Sequence, residues 1–130
     1  MAKIICSNNA PAPIGPYSQA VLVPVTDSIL YCSGQIPLDP ATGNILGNTI
    51  EEQTEMVIKN ISAILKEAGL DFSSVIKTTC FLKSMDDFTV FNGIYEKYFI
   101  SKPARSCVEV SRLPKDVLVE VEVIAAKKNS

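Results

Sequence analysis

Two segments near the C-terminus alternate with a period of two: residues 103–110 (Pro-Ala-Arg-Ser-Cys-Val-Glu-Val) and 117–123 (Val-Leu-Val-Glu-Val-Glu-Val). Such alternation belongs to strands that bury one face only, so the chain must build a sheet with a covered and an uncovered side. Turn-type residues 111–116, with Pro114, separate the segments. A hairpin closed symmetrically around them sets Val110 opposite Val117, Val108 opposite Val119 and Ser106 opposite Val121. Its other side pairs Cys107 with Glu120 and Arg105 with Glu122, with Glu120 diagonal to Arg105. A guanidinium, a thiol and two carboxylates then share one side of the sheet. Cross-strand charge pairs on a solvated face are ordinary and contribute little. Against that reading, Arg105 follows Pro-Ala at the start of a strand, where side chains line open edges.

The remaining elements follow in chain order. Residues 2–7 form a short strand, and three prolines stiffen residues 10–16. That loop delivers Tyr17 as a core aromatic or a pocket wall. Residues 18–25 and 29–36 read as an antiparallel pair turning at Thr26-Asp27-Ser28. Within the second run, Ser33-Gly34-Gln35 interrupts an apolar strand, and Gly34 marks a close approach to the backbone. Thr49-Ile50-Glu51-Glu52 is a capping box. Val57, Ile58, Ile61, Ile64, Leu65 and Ala68 continue it as an apolar helical stripe that Gly69 ends. Val75–Leu82 is a strand with Thr78 and Cys80 on one face. A second helix begins near residues 84–87 and carries Phe88, Phe91, Tyr95 and Tyr98. Asn92 shares the side of Phe88 and Tyr95, for a buried hydrogen bond or for solvent. Residues 127–130 read as a frayed tail. The order is β-β-β-α-β-α-β-β, a single α+β domain over residues 1–130 with two helices on one face of a mixed sheet.

Composition narrows the chemistry. The chain has 12 basic and 14 acidic residues and net charge -2, a poor electrostatic footprint for nucleic acid. It has no histidine, which removes Ser-His and Cys-His nucleophile pairs. Cys6, Cys32, Cys80 and Cys107 are scattered, so neither a metal site nor any cofactor is expected. Residues 1–10 lack the apolar stretch of a secretory leader, and no run is long enough for a bilayer. The expected location is therefore the cytoplasm, with the mitochondrion as the alternative. A hydrophobic content of 47% and mean hydropathy of +0.22 point to strand faces buried in an oligomer.

The chain resembles the RidA family, also called YjgF or endoribonuclease L-PSP, nearly end to end. The resemblance rests on Ala12-Pro13-Ile14-Gly15-Pro16-Tyr17-Ser18-Gln19, Ser33-Gly34-Gln35-Ile36-Pro37 and Val75-Ile76-Lys77-Thr78-Thr79. Pro103-Ala104-Arg105-Ser106-Cys107-Val108-Glu109-Val110 and Leu113-Pro114-Lys115 complete it. It implies a chorismate-mutase-like fold, a homotrimer with clefts between subunits, and 2-iminobutanoate/2-iminopropanoate deaminase activity. Its substrates would be reactive imines and enamines, such as 2-aminoacrylate released by pyridoxal-phosphate-dependent dehydratases, and its products 2-keto acids and ammonia. By the same resemblance Arg105 binds the substrate carboxylate, Tyr17, Ser33 and Asn92 line the cleft, and Gly34 admits the ligand to the backbone. Cys107 and Glu120 place the attacking water, with Arg105, Glu120 and Tyr17 as the catalytic set. Arg105 is expected to hold Glu120 ionised. The link Ile100-Ser101-Lys102 is shorter than in many members. The rival functions are a non-catalytic metabolite binder or regulator, and a ribonuclease or translation inhibitor.

Overall fold

Helix α1 (Ile50–Glu67) starts where the Thr49 hydroxyl accepts the Glu52 backbone N–H at 3.2 Å, in a computed structural model that describes residues 2–129. The return bond of the box goes to the N–H of Asn48, 3.0 Å from Glu52 Oε1. Val57, Ile58, Ile61 and Leu65 bury the predicted stripe, and Gly69 ends the helix at φ +74°. Helix α2 (Phe88–Tyr98) follows one helical turn at Met85–Asp87, opened by the Ser84 hydroxyl, and buries Phe91 and Tyr95.

Strands β1 (Lys3–Ile5) and β2 (Ala20–Leu22) form a separate antiparallel pair. The main sheet takes β3 (Ser28–Gln35), β4 (Val75–Leu82), β5 (Ala104–Glu109) and β6 (Val119–Lys127) in the order β3-β6-β4-β5. The β4-β5 pair is parallel and the other two are antiparallel. Val119, Val121, Val123 and Ala125 of β6, with Thr78, Cys80 and Leu82 of β4, are buried beneath the helices. The α+β class, the element order and the mixed sheet agree with expectation. Among the described residues no helix is long and apolar enough to cross a membrane.

Two expected pairings are wrong. Residues 103–110 and 117–123 do not form a hairpin, because β4 lies between β5 and β6. The reason is the helix that precedes β5: a β-α-β crossover lays the returning strand parallel beside the first. β5 therefore takes one edge of β4, and the following loop carries the chain across to the other edge. Left-handed Lys115 and Asp116 (φ 55° and 56°) bend that loop. Nor does residues 18–25 pair with residues 29–36. Pro24 offers no N–H beyond β2, and β3 takes its ladder from β6. The tail is less frayed than expected. Lys127 is paired with Ser28, and the Asn129 side chain donates to Thr26 O at 2.6 Å. Ser130 lies outside the described residues.

Candidate active site

Because β5 is the sheet edge, its helix-facing side chains open onto a cavity beside α2. Arg105 Nη1 donates to Asn92 Oδ1 at 2.6 Å. The guanidinium carbon lies 4.8 Å from the ring centre of Tyr95 and 5.5 Å from those of Tyr17 and Phe88. Each such contact is worth about 0.5–2 kcal/mol, so three rings and one amide hold the fork in place. Among the described residues no carboxylate pairs with it, which leaves its charge for a ligand. Tyr17 arrives through the rigid Gly15-Pro16 corner, where its N–H donates to Gly15 O at 2.8 Å. The next residue anchors it: Ser18 Oγ donates to Lys102 O at 2.6 Å, and Ser18 N to Pro103 O at 3.3 Å. The short 100–102 link thus binds the tyrosine-bearing segment to the start of β5. The cavity, about 210 Å³, is lined by Ile14, Gly15, Tyr17, Phe88, Asn92, Arg105 and Cys107.

Beneath the guanidinium runs a chain of buried hydroxyls and thiols. Thr78 Oγ1 and Tyr95 OH are 2.7 Å apart, and Cys80 Sγ donates to Thr78 Oγ1 at 3.8 Å. The neighbouring Cys80 thiol lowers the Cys107 pKa, burial opposes this, and the Arg105 charge assists the lowering. Burial pushes the Cys80 thiol well up.

Glu120 and Glu122 do not share this face, contrary to the hairpin geometry. Cys80 pairs with both Cys107 and Val121, so Val121 takes the Cys107 side and Glu120 and Glu122 face away. There a bulge between Cys32 and Gln35 brings Ser33 and Gly34 against β6, and the Glu120 carboxylate covers Gly34. The close approach expected at Gly34 is thus made by a side chain of its own sheet. Ser33 and Glu122 line a depression of about 240 Å³ with Tyr31, Lys77 and Thr79. The electrostatic expectation also reverses. Burial raises the Glu120 pKa and the Glu122 charge adds to it; Arg105 is not among the causes.

One chain therefore gathers Arg105, Tyr17, Asn92 and Cys107 and leaves Ser33, Gly34 and Glu120 on the other side of the sheet. Phe88 and Tyr95 as seats of the guanidinium, and Ser18 as an anchor, escaped the sequence reading. The signal available for the first two was their shared helix face with Asn92. A larger groove of about 860 Å³ runs along α1 between Met56, Lys59, Phe72 and Tyr98. It lacks the convergence of a charged fork with a thiol and polar groups, so the smaller cavity is the candidate.

The model of the family described as Endoribonuclease L-PSP matches residues 7–127. AldR of Lactococcus lactis subsp. lactis, whose name assigns it only a provisional regulatory role, is 59% identical over 98% of this chain and 99% of its own. A protein of Salmonella typhimurium named 2-iminobutanoate/2-iminopropanoate deaminase is 45% identical over 98% of this chain and all (100%) of its own. The crystal structure of Escherichia coli TdcF with bound serine matches with TM-score 0.72 and 40% identity, over 97% of this chain and 99% of that one.

Proposed function

The chain belongs to the endoribonuclease L-PSP family, and on that premise we propose that it is an enamine/imine deaminase acting on small 2-imino acids. The proposed products are 2-keto acids and ammonia, and the proposed location is the cytoplasm. The observation that carries the reading is a guanidinium with no carboxylate partner among the described residues, at the wall of a small aromatic cavity. A planar fork of this kind takes a carboxylate through two parallel hydrogen bonds and stays charged at any working pH. 2-Aminoacrylate has six heavy atoms, so its binding is capped near 9 kcal/mol at about 1.5 per atom. One charge-assisted pair then dominates recognition.

The chemistry asks little more of the protein. A protonated imine is already electrophilic, so water adds to its carbon, the resulting aminoalcohol loses ammonia, and the keto acid remains. In this reading Arg105 holds the acid end, Asn92 steadies the guanidinium, and Tyr17 bonds substrate or water. Glu120 orients the water, while Ser33, Gly34 and Cys107 complete the walls. Those residues lie on two faces of one sheet, which favours a homotrimer whose clefts join the Arg105 face of one copy to the Glu120 face of the next. The uncovered face supports such assembly: Tyr31 is 76% exposed, Val108 45% and Ile29 37%, a patch that favours burial against another surface.

The test is to generate the imine in place with an amino-acid oxidase, with catalase present to remove the peroxide it forms, and to follow keto-acid release. Release faster than in buffer, and lost in Arg105→Ala, supports deamination; release at the buffer rate refutes it. A metabolite-binding role rests on the same clamp, since the Arg105 cavity can grip an acid without Glu120. Saturable keto-acid binding with no turnover would select it.

A further inference from the structure

Parallel β4 and β5 place Cys80 directly beside Cys107. Adjacent strands lie about 4.8 Å apart, inside the roughly 4.4–6.8 Å between Cα atoms that a disulfide spans. Both side chains face α2. Cys80 is fully buried, whereas Cys107 is half-buried and reaches the Arg105 cavity. Cys6 is exposed near the N-terminus and Cys32 sits on β3, so no other cysteine shares this register. The two thiols differ in chemistry as well as access. Cys107 is the more acidic, helped by Cys80 and by Arg105, while burial keeps Cys80 protonated. An accessible, acidic thiol next to a second thiol forms a disulfide from its sulfenic acid instead of oxidising further.

We propose that Cys107 and Cys80 form a peroxide-oxidisable dithiol that closes to a reversible disulfide at the wall of the Arg105 cavity. The Cys107 thiolate attacks a peroxide oxygen, the O–O bond breaks, and a sulfenic acid and one water form. The Cys80 sulfur then attacks the Cys107 sulfur, the S–O bond breaks, and a second water leaves with the Cys80 proton. Two thiols lose two electrons in total and hydrogen peroxide becomes two waters. A small-molecule dithiol reverses the step by exchange. The cavity that admits a small acid also admits hydrogen peroxide, and the proposal goes beyond the deaminase reading without depending on it.

The experiment treats the Cys6→Ser protein with hydrogen peroxide, blocks the remaining thiols by alkylation, and maps digested peptides by mass spectrometry. The expected product is a single intrachain link between the Cys80 and Cys107 peptides, two hydrogens lighter and removed by dithiothreitol, with Cys32 alkylated. Cys80→Val fills the same core space, and there Cys107 should advance to sulfinic acid. Cys80 remaining fully alkylated after treatment, with Cys107 equally oxidised in parent and Cys80→Val, would overturn the proposal. So would untouched thiols or a link between copies. Every outcome is read from covalent mass and is separate from any test of imine turnover.

Discussion

Arg105 and Glu120 stand on opposite faces of the same sheet: the guanidinium lies under α2 beside Asn92, and the carboxylate lies over Gly34 on the uncovered side. A reaction that uses both must draw them from two copies. Arg105→Ala and Glu120→Ala should each be inactive alone and recover activity when co-expressed. Random mixing in a closed ring leaves roughly a quarter of clefts with both native groups. Keto-acid release by mixed assemblies, purified through different tags, measures this. Mixed assemblies as inactive as their parents would count against shared clefts.

Arg105→Lys keeps the charge and loses the fork. The amine cannot reproduce two parallel bonds to a carboxylate, nor the broad cation–π contact of the guanidinium with Tyr95, whose ring centre is 4.8 Å away. Loss of such a charge-assisted bond costs about 1.5–3 kcal/mol, so kcat/KM should fall about 10- to 150-fold. Size-exclusion elution should be unchanged. Turnover near the parental rate would remove Arg105 from substrate binding.

Much of this site was legible from local pattern. Capping residues and a 3.6-residue stripe specify α1, and local alternation and flanks delimit β4 as Val75–Leu82. The shared face of Arg105 and Cys107 is equally local, since residues two apart on a strand point the same way. The face of Glu120 is not local: relative to Arg105 it depends on the strand between them. With β4 interposed, the register Cys107–Cys80–Val121 sets the relation, and no turn signal in residues 111–116 carries that information. The roles of Tyr95 and Phe88 were hidden for a related reason. They seat a guanidinium only because β5 is an edge strand, which is a property of the crossover.

Cys107 should show its lowered pKa directly. A depressed pKa populates thiolate at lower pH, so iodoacetamide should label Cys107 of the Cys6→Ser protein with a midpoint below the ordinary thiol range. Replacing Cys80 with Val removes the largest lowering influence and should move the midpoint up; Arg105→Ala should move it the same way. Mass-resolved labelling against pH gives the measurement, and an ordinary midpoint in the parent would contradict the geometry. With no histidine in the chain to pair with it, the proposed hydrolysis assigns the thiol no nucleophilic role. Cys107→Ser should therefore retain most imine turnover. Complete loss in that variant would instead favour a covalent intermediate.

Gly34→Ala separates the carboxylate's role from the fold. A Cβ at residue 34 would collide with Glu120 Oε2 and come within 2.9 Å of its Cδ. Gly34 has no left-handed backbone, and the obstructing atoms end a flexible side chain, so the strand can keep its path while Glu120 swings away. Stability should change by less than about 1 kcal/mol in urea melts, below the cost of a buried large-to-small change. Imine turnover should nevertheless fall as far as it does in Glu120→Gln, because a water placed by hydrogen bonding tolerates displacements of only about 0.5 Å. The double variant should be no worse than either single one, as expected for two changes that act on one group. Additive losses would mean that Gly34 serves the site through its own backbone, as an approach surface for ligand, rather than by leaving room for the carboxylate.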